Sequence, residues 1–147
     1  EEVVAEAVSR INKRFPERNV IVSVPDELLE VPMDGTLIAQ VLINLLENAI
    51  KHSPNDSPVE VYLKKHEAWA LFEVIDHGKG ITDEDFPYLF TSYVPNGNKS
   101  SDSSRGMGIG LSICMTIIKA HGGTMEAHNR AEGGALFEFV LPLEGSD

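Results

Sequence analysis

The chain reads as an α+β protein: a two-layer α/β sandwich in which a mixed sheet is covered on one face by about three helices. Short β-branched segments are interleaved with three longer stretches of helical spacing, an order that separates strands and helices into two layers. A chain of 147 residues, 42% of them hydrophobic, can bury one core, and no break in composition divides it. No apolar run approaches the roughly 20 residues needed to cross a bilayer, and no positively charged start with a cleavable apolar stretch is present, so a soluble piece is expected. Twelve basic against twenty-three acidic residues give a net charge of −11, which repels nucleic acid and anionic lipid surfaces. A polyanionic ligand must then be held by local geometry and a metal ion. The single cysteine, Cys114, allows no intrachain disulfide and fits a reducing compartment. The first residue is Glu1, which is expected of a fragment of a longer protein.

Glu1 to Phe15 has helical spacing, with Val4, Ala7, Val8 and Ile11 on one face, and Pro16 stops it. Asn19 to Val24 is a short β-branched strand, beside which Leu29 to Pro32 is expected to pair. The longest helical pattern runs from near Asp34 to His52 and closes at Ser53-Pro54. Val59 to Lys65 and Ala70 to Ile75 are two strands joined by a turn near Glu67. Thr82 to Phe90 is expected as a short helix, started by Thr82 and the acidic Asp85 three residues on. Pro95 to Arg105 is too polar and too rich in glycine and serine to pack, and is expected to be a mobile lid. Gly108 to His121 returns to helical spacing and stops at Gly122-Gly123. Thr124 to Asn129 and Leu136 to Leu141 are strands around a Glu132-Gly133-Gly134 turn.

Within the helix from Asp34 to His52, Gln40, Asn44, Glu47, Asn48 and Lys51 lie along one stripe, while Ile38, Val41, Leu42, Leu45 and Ala49 take the packed arc. Two mid-helix asparagines are poor helix formers, each a few tenths of a kcal/mol or so worse than alanine. An amide oxygen is a hard neutral ligand suited to Mg²⁺, and a lysine one turn on can meet a phosphate. On this helix alone a solvated polar face is the plainer reading. Asp76 closes a strand made of Leu71, Phe72, Val74 and Ile75, which places its carboxylate at a strand end. A carboxylate accepts from adenine's exocyclic amine but not from guanine's carbonyl, so one aspartate can select the base. Gly78 and Gly80 are expected to clear side chains where the backbone curves against a flat ring; by itself DHG is simply a turn. Gly106, Gly108 and Gly110 open a helix whose free N–H groups attract phosphate. The spacing is not a Rossmann fingerprint, no GxxxxGK[ST] occurs, and neither HRD nor DFG is present. Lys99 and Arg105 sit in or beside the polar stretch, within reach of phosphate on closure, although loop charges are ordinarily solvated.

Read in order, NLLENAIK (Asn44 to Lys51), DHGKG (Asp76 to Gly80), FPYLF (Phe86 to Phe90) and GMGIGL (Gly106 to Leu111) resemble the ATP-binding catalytic domain of sensor histidine kinases. That domain is related to DNA gyrase B, a heat-shock chaperone and the mismatch-repair ATPases, which share a Bergerat-type fold. The likeness covers about Asn19 to Leu143. It implies residues 1–15 as a linker helix from an upstream dimerisation and phosphoacceptor domain, and 16–147 as the catalytic ATP-binding domain. It implies ATP and Mg²⁺ as cofactors, with Asn44 and Asn48 at the metal and Asn44 and Lys51 in the catalytic role. The nucleotide set it implies adds His52 beside the adenine, then Asp76, Gly78, Gly80, Ile81, Lys99, Arg105, Gly106, Met107, Gly108, Ile109, Gly110 and Leu111. ATP-hydrolysing relatives carry a water-activating glutamate where this chain has Asn44, which cannot accept a proton at neutral pH; transfer to an external nucleophile is implied instead.

The chain departs from the family at Ser92, Tyr93 and Pro95, where two arginines around an aromatic are usual, and at Ala135, where a threonine is usual. These departures bear on how the lid is anchored and remove one polar contact near the base. The GGALF ending, NLLENAIKHS and Val31 to Gly35 resemble the turgor- and potassium-responsive sensor kinases. None of His52, His66, His77, His121 and His128 has the His-Glu/Asp context of a phosphoacceptor. The resemblance therefore implies an acceptor histidine on upstream dimerisation helices, a response regulator served by the full kinase, and a cytoplasmic position as the C-terminal domain of a membrane-anchored bacterial sensor. No nucleic acid and no direct membrane contact are expected. An anti-sigma-type serine kinase regulator, or a nucleotide-sensing module that phosphorylates nothing, would use the same pocket.

Overall fold

Five strands form one sheet in the order β1-β2-β3-β5-β4. The structure is a computed structural model and describes residues 1–27, 29–90 and 110–144. The elements are α1 (Glu2–Arg14), β1 (Val20–Ser23), α2 (Gly35–Lys51), β2 (Val59–His66), β3 (Trp69–Ile75), α3 (Gly110–Ala120), β4 (Thr124–Asn129) and β5 (Ala135–Pro142). β1 runs parallel to β2 and the remaining pairs are antiparallel, so the sheet is mixed as expected.

The register sorts the strand residues onto two faces. Directly opposed pairs carry Val61 to Val74, Val74 to Phe137 and Phe137 to Ala127; a second row carries Leu63, Phe72, Phe139 and Met125. All of these are buried, and Phe72 stacks on Phe139 with centroids 4.6 Å apart. Above them pack α2 through Ile38, Val41, Leu42, Leu45 and Ala49, α3 through Leu111, Cys114 and Ile118, and α1 through Val4, Ala7 and Ile11. Among the described residues no helix is long and apolar enough to cross a membrane. The opposite face carries a row of its own, Tyr62, Glu73, Glu138 and Glu126, in which three glutamates stand directly opposed across β3, β5 and β4.

Two expected elements differ. Leu29 to Pro32 forms no strand: its backbone meets the chain's end, where the Glu144 N–H donates to the Glu30 carbonyl at 2.6 Å. Thr82 to Phe90 is a series of turns with one 3-10 segment, Phe86–Tyr88. Thr82 Oγ1 does accept from the Asp85 N–H at 3.1 Å, but Pro87 has no N–H to extend an α-helical ladder. The FPYLF segment acts through packing instead, burying Leu89 and setting Phe90 edge-on to Phe137 at 6.3 Å. The expected lid, Pro95 to Arg105, and Ser92 and Tyr93 before it lie outside the described residues.

Candidate functional site

Where α2 ends over the ends of β3 and β5, a cavity of about 840 Å³ opens. Its walls come from the last turn of α2 and its cap (Asn48, Lys51, His52), the loop after β3 (Asp76 to Thr82), Leu89, and the start of β5 (Ala135, Phe137). Three local devices shape it. Asp34 caps the N-terminus of α2 by accepting from the Leu37 N–H at 3.1 Å. At the other end Arg18, itself buried, donates from NH1 to the Ile50 carbonyl at 3.1 Å and from NH2 to the Pro54 carbonyl at 3.0 Å. A cation there satisfies end carbonyls and suits the negative end of the helix dipole. The third device is Asn129, at the end of β4, which accepts from the Ile81 N–H at 2.7 Å and donates to the Ile81 carbonyl at 2.9 Å.

Asp76 is 3% exposed. Its Oδ1 accepts from the Gly78 N–H at 2.9 Å and the Ala135 N–H at 3.2 Å, while the Asp76 N–H donates to the Ala135 carbonyl at 3.0 Å. Oδ2 accepts no hydrogen bond among the described residues, so a fixed carboxylate in the cavity wall keeps one acceptor in reserve. The two glycines of the loop also serve the packing of the protein itself. A Cβ on Gly78 would stand 1.6 Å from the His52 carbonyl oxygen, so its bareness lets the loop lie against the end of α2. Gly80 has φ +86, which side chains disfavour, and a Cβ there would meet Asn129 Oδ1 at 2.7 Å.

The α2 stripe divides into two environments. Asn48 is 6% exposed, and its Oδ1 is buried without a hydrogen-bond partner among the described residues. Such an atom ordinarily costs free energy, and it is a hard oxygen of the kind Mg²⁺ takes. Asn44 is engaged at both ends: Oδ1 accepts from Gln40 Nε2 at 3.1 Å and Nδ2 donates to Cys114 Sγ at 3.5 Å. Burial pushes the Cys114 thiol up, while the Asn44 bond acts in the opposite direction. Asn44 is not among the residues lining the cavity and lies next to the start of α3, with Nδ2 3.8 Å from the place of a Gly110 Cβ. Leu111 is buried in the core. Burial holds the His52 imidazole below its ordinary range; Asp76 opposes this, and the Lys51 and Lys79 charges add to it.

Of the residues expected from the sequence, Asn48, Lys51, His52, Asp76, Gly78, Gly80 and Ile81 meet around one cavity, Asn44 and Gly110 lie together beside it, and Leu111 does not reach it. Lys99, Arg105, Gly106, Met107, Gly108 and Ile109 lie outside the described residues. Sequence reasoning missed Asn129 and Arg18. Each sits one or two residues from a turn and reads there as a solvated polar group; only the tertiary pairing reveals its partner.

The family described as histidine kinase-, DNA gyrase B-, and HSP90-like ATPase matches residues 33–145. Sensor protein KdpD of Clostridium acetobutylicum is 49% identical over 144 residues, covering 98% of this chain and 16% of the relative. Adaptive-response sensory kinase SasA of Synechococcus is 35% identical over 144 residues, covering 96% of this chain and 37% of the relative. Among solved structures, the catalytic domain of histidine kinase ThkA superposes with a TM-score of 0.81 at 28% identity, over 96% of this chain and 90% of that one. Mycobacterial sensor histidine kinase MprB gives 0.81 at 26% identity, over 97% and 93%. The chain thus spans a minor part of its curated relatives and nearly the whole of a catalytic-domain structure.

Proposed function

The chain belongs to the histidine kinase-, DNA gyrase B-, and HSP90-like ATPase family, and from that premise we propose that it is the ATP-binding catalytic domain of a two-component sensor histidine kinase. In this reading it binds ATP with Mg²⁺ and gives the γ-phosphate to a histidine on a separate helical domain. The observation that carries the reading is the pairing, in one cavity, of a pinned buried carboxylate with a free oxygen at Asp76 and an unpartnered buried amide oxygen at Asn48.

Asp76 Oδ2 accepts from the exocyclic amine of adenine, and a guanine carbonyl in the same place would meet it acceptor to acceptor. Asn48 Oδ1 would hold the Mg²⁺, which supplies charge neutralisation to the phosphates. Lys51, exposed at the last turn of α2, brings a positive charge to the same rim. Asn44, next to the start of α3, has no group that takes a proton from water, so hydrolysis is slow and an outside nucleophile is favoured. The segment 1–15, containing α1, is the proposed connection to the dimerisation and phosphoacceptor helices, with a response regulator served by the longer kinase at the cytoplasmic side of a membrane.

Incubation with γ-labelled ATP tests this, with and without a cognate histidine hairpin. Label is expected on the hairpin histidine alone, with little phosphate released in its absence. Label fixed on this chain, or fast turnover without the hairpin, would overturn the reading.

A further inference from the structure

The loop that carries Asp76 is gripped by a chain of three side chains. His77 Nε2 lies 2.5 Å from Glu60 Oε2 on β2, and His77 Nδ1 lies 3.3 Å from NH1 of Arg130, the residue after β4. A guanidinium only donates, so Nδ1 is the acceptor and the ring proton sits on Nε2, donated to the carboxylate. With the ring neutral, the order is cation, imidazole, anion. Both outer members are anchored in turn: the Tyr62 hydroxyl donates to Glu60, and Arg130 NH1 also donates to the Gly133 carbonyl at 2.9 Å, with Glu132 3.7 Å from NH2. The His77 N–H donates to Ser53 Oγ at 3.3 Å, just past α2. The other charged or titratable groups lining the cavity that His77 also lines are Asp76, Lys79 and Asp85 on the loop side and Lys51 and His52 at the end of α2.

We propose that His77 is a positioning residue for nucleotide binding: held between Glu60 and Arg130 as the neutral ring, it fixes the Asp76 to Gly80 loop, and charging the ring releases that hold and weakens nucleotide affinity. The inference rests on the nucleotide reading of the cavity. The Asp76 Oδ1 bond to the Gly78 N–H closes over His77, so a change in the His77 backbone is a change in where Oδ2 points. Protonation puts an N–H on Nδ1 against the N–H of Arg130, replacing a hydrogen bond by a contact between two donors of like charge. The Glu60 bond survives, so the loop loses its tie to the β4–β5 turn and keeps the one to β2. A glutamine side chain offers a donor and an acceptor side by side and does not titrate, so it can satisfy both neighbours at every pH.

Calorimetric titration with ADP, from about pH 5.5 to about pH 8, tests this on the chain as it stands and on variants checked for folding by thermal melting. The ligand's own titration is common to all of them and cancels in the ratio of affinities. At neutral pH, H77A and R130M are each expected to bind about tenfold more weakly, and the double variant no worse than either, because they share one interaction. H77Q is expected to keep its neutral-pH affinity within about twofold and to lose the acid weakening seen in the parent chain. If H77A melts below the assay temperature, R130M carries the comparison. Parent-like ADP binding by H77A, or by R130M where that comparison is used, or an H77Q variant that weakens with acid as the parent does, overturns the inference and leaves the nucleotide site standing. A parent chain that binds no ADP at any pH overturns the nucleotide reading, and this inference with it.

Discussion

Under the proposed function Asp76 is both structural and selective: its Oδ1 is tied to Gly78 and Ala135, and Oδ2, which accepts no hydrogen bond among the described residues, would take the adenine amine. Asp76→Asn can keep the first role, since the amide oxygen still accepts from both N–H groups, while the outward atom changes from acceptor to donor. ADP binding is expected to weaken by ~1.5 to 3 kcal/mol, one to two decades in affinity, and the preference for ADP over GDP to narrow or reverse. Calorimetry with the two nucleotides reads both effects. The aspartate was legible beside the other segments rather than alone, where DHG reads as a turn. Gly78 was legible as a glycine but not in its purpose, because the atom it avoids, the His52 carbonyl, is brought there only by the end of another element. Nothing near Asn129 in the chain points to Ile81, 48 residues away, so that clamp could not be read in advance.

At the scale of elements, the long helix α2 was visible from its apolar arc and its Ser53-Pro54 stop, and each of the five arc residues is buried. What holds its far end was not visible, because Arg18 in PERN looks like a turn residue. Arg18→Met keeps much of the stem and removes the two N–H donors to Ile50 and Pro54. A loss of about 2 kcal/mol is expected in urea unfolding, since bonds from a charged donor are the stronger kind and the one to Ile50 is buried. Lysine, with a single ammonium, is expected to recover part of this and not all. The helix expected at Thr82 to Phe90 is absent for a reason present in the sequence: Thr82 and Asp85 start a turn, but Pro87, three residues after Glu84, breaks the ladder. Leu29 to Pro32 is short and ends in proline, and an edge position for it depended on where the chain returns.

Across the whole molecule, the two-layer architecture followed from the order of periodicities, whereas strand register did not, and register decides which charges meet. Glu73, Glu138 and Glu126 face one another across three strands, with Lys64 2.8 Å from Glu73 and His128 3.2 Å from Glu126 and 3.9 Å from Glu138. Burial holds the Glu138 carboxyl above its ordinary range; Glu73 and Glu126 push the same way, while His128 and Lys64 oppose them. A carboxyl raised in the folded state favours folding while protonated, and that contribution is lost as pH rises through its folded value. Glu138→Gln is therefore expected to raise the melting temperature at neutral pH, with the gain disappearing below about pH 4, where the carboxyl is protonated folded and unfolded alike. Thermal melts of the two proteins across pH check this. Glu60 runs in the opposite sense: the Tyr62 hydroxyl and His77 hold it low against the effect of burial, so its contribution is present at neutral pH and lost on acidification.

The unpartnered oxygen of Asn48 has a consequence for how such a chain can change. A buried oxygen that accepts no hydrogen bond among the described residues, on a residue of modest helix propensity, is a standing cost to the protein without nucleotide. Selection for stability alone would replace it. Asn48→Leu is expected to melt higher than the parent without nucleotide, and to lose the further rise in melting temperature that Mg²⁺ with ADP gives the parent. A position where the fold improves as the ligand is lost is one that stability does not explain, and melting curves with and without Mg²⁺ and ADP would mark it without any assay of phosphoryl transfer.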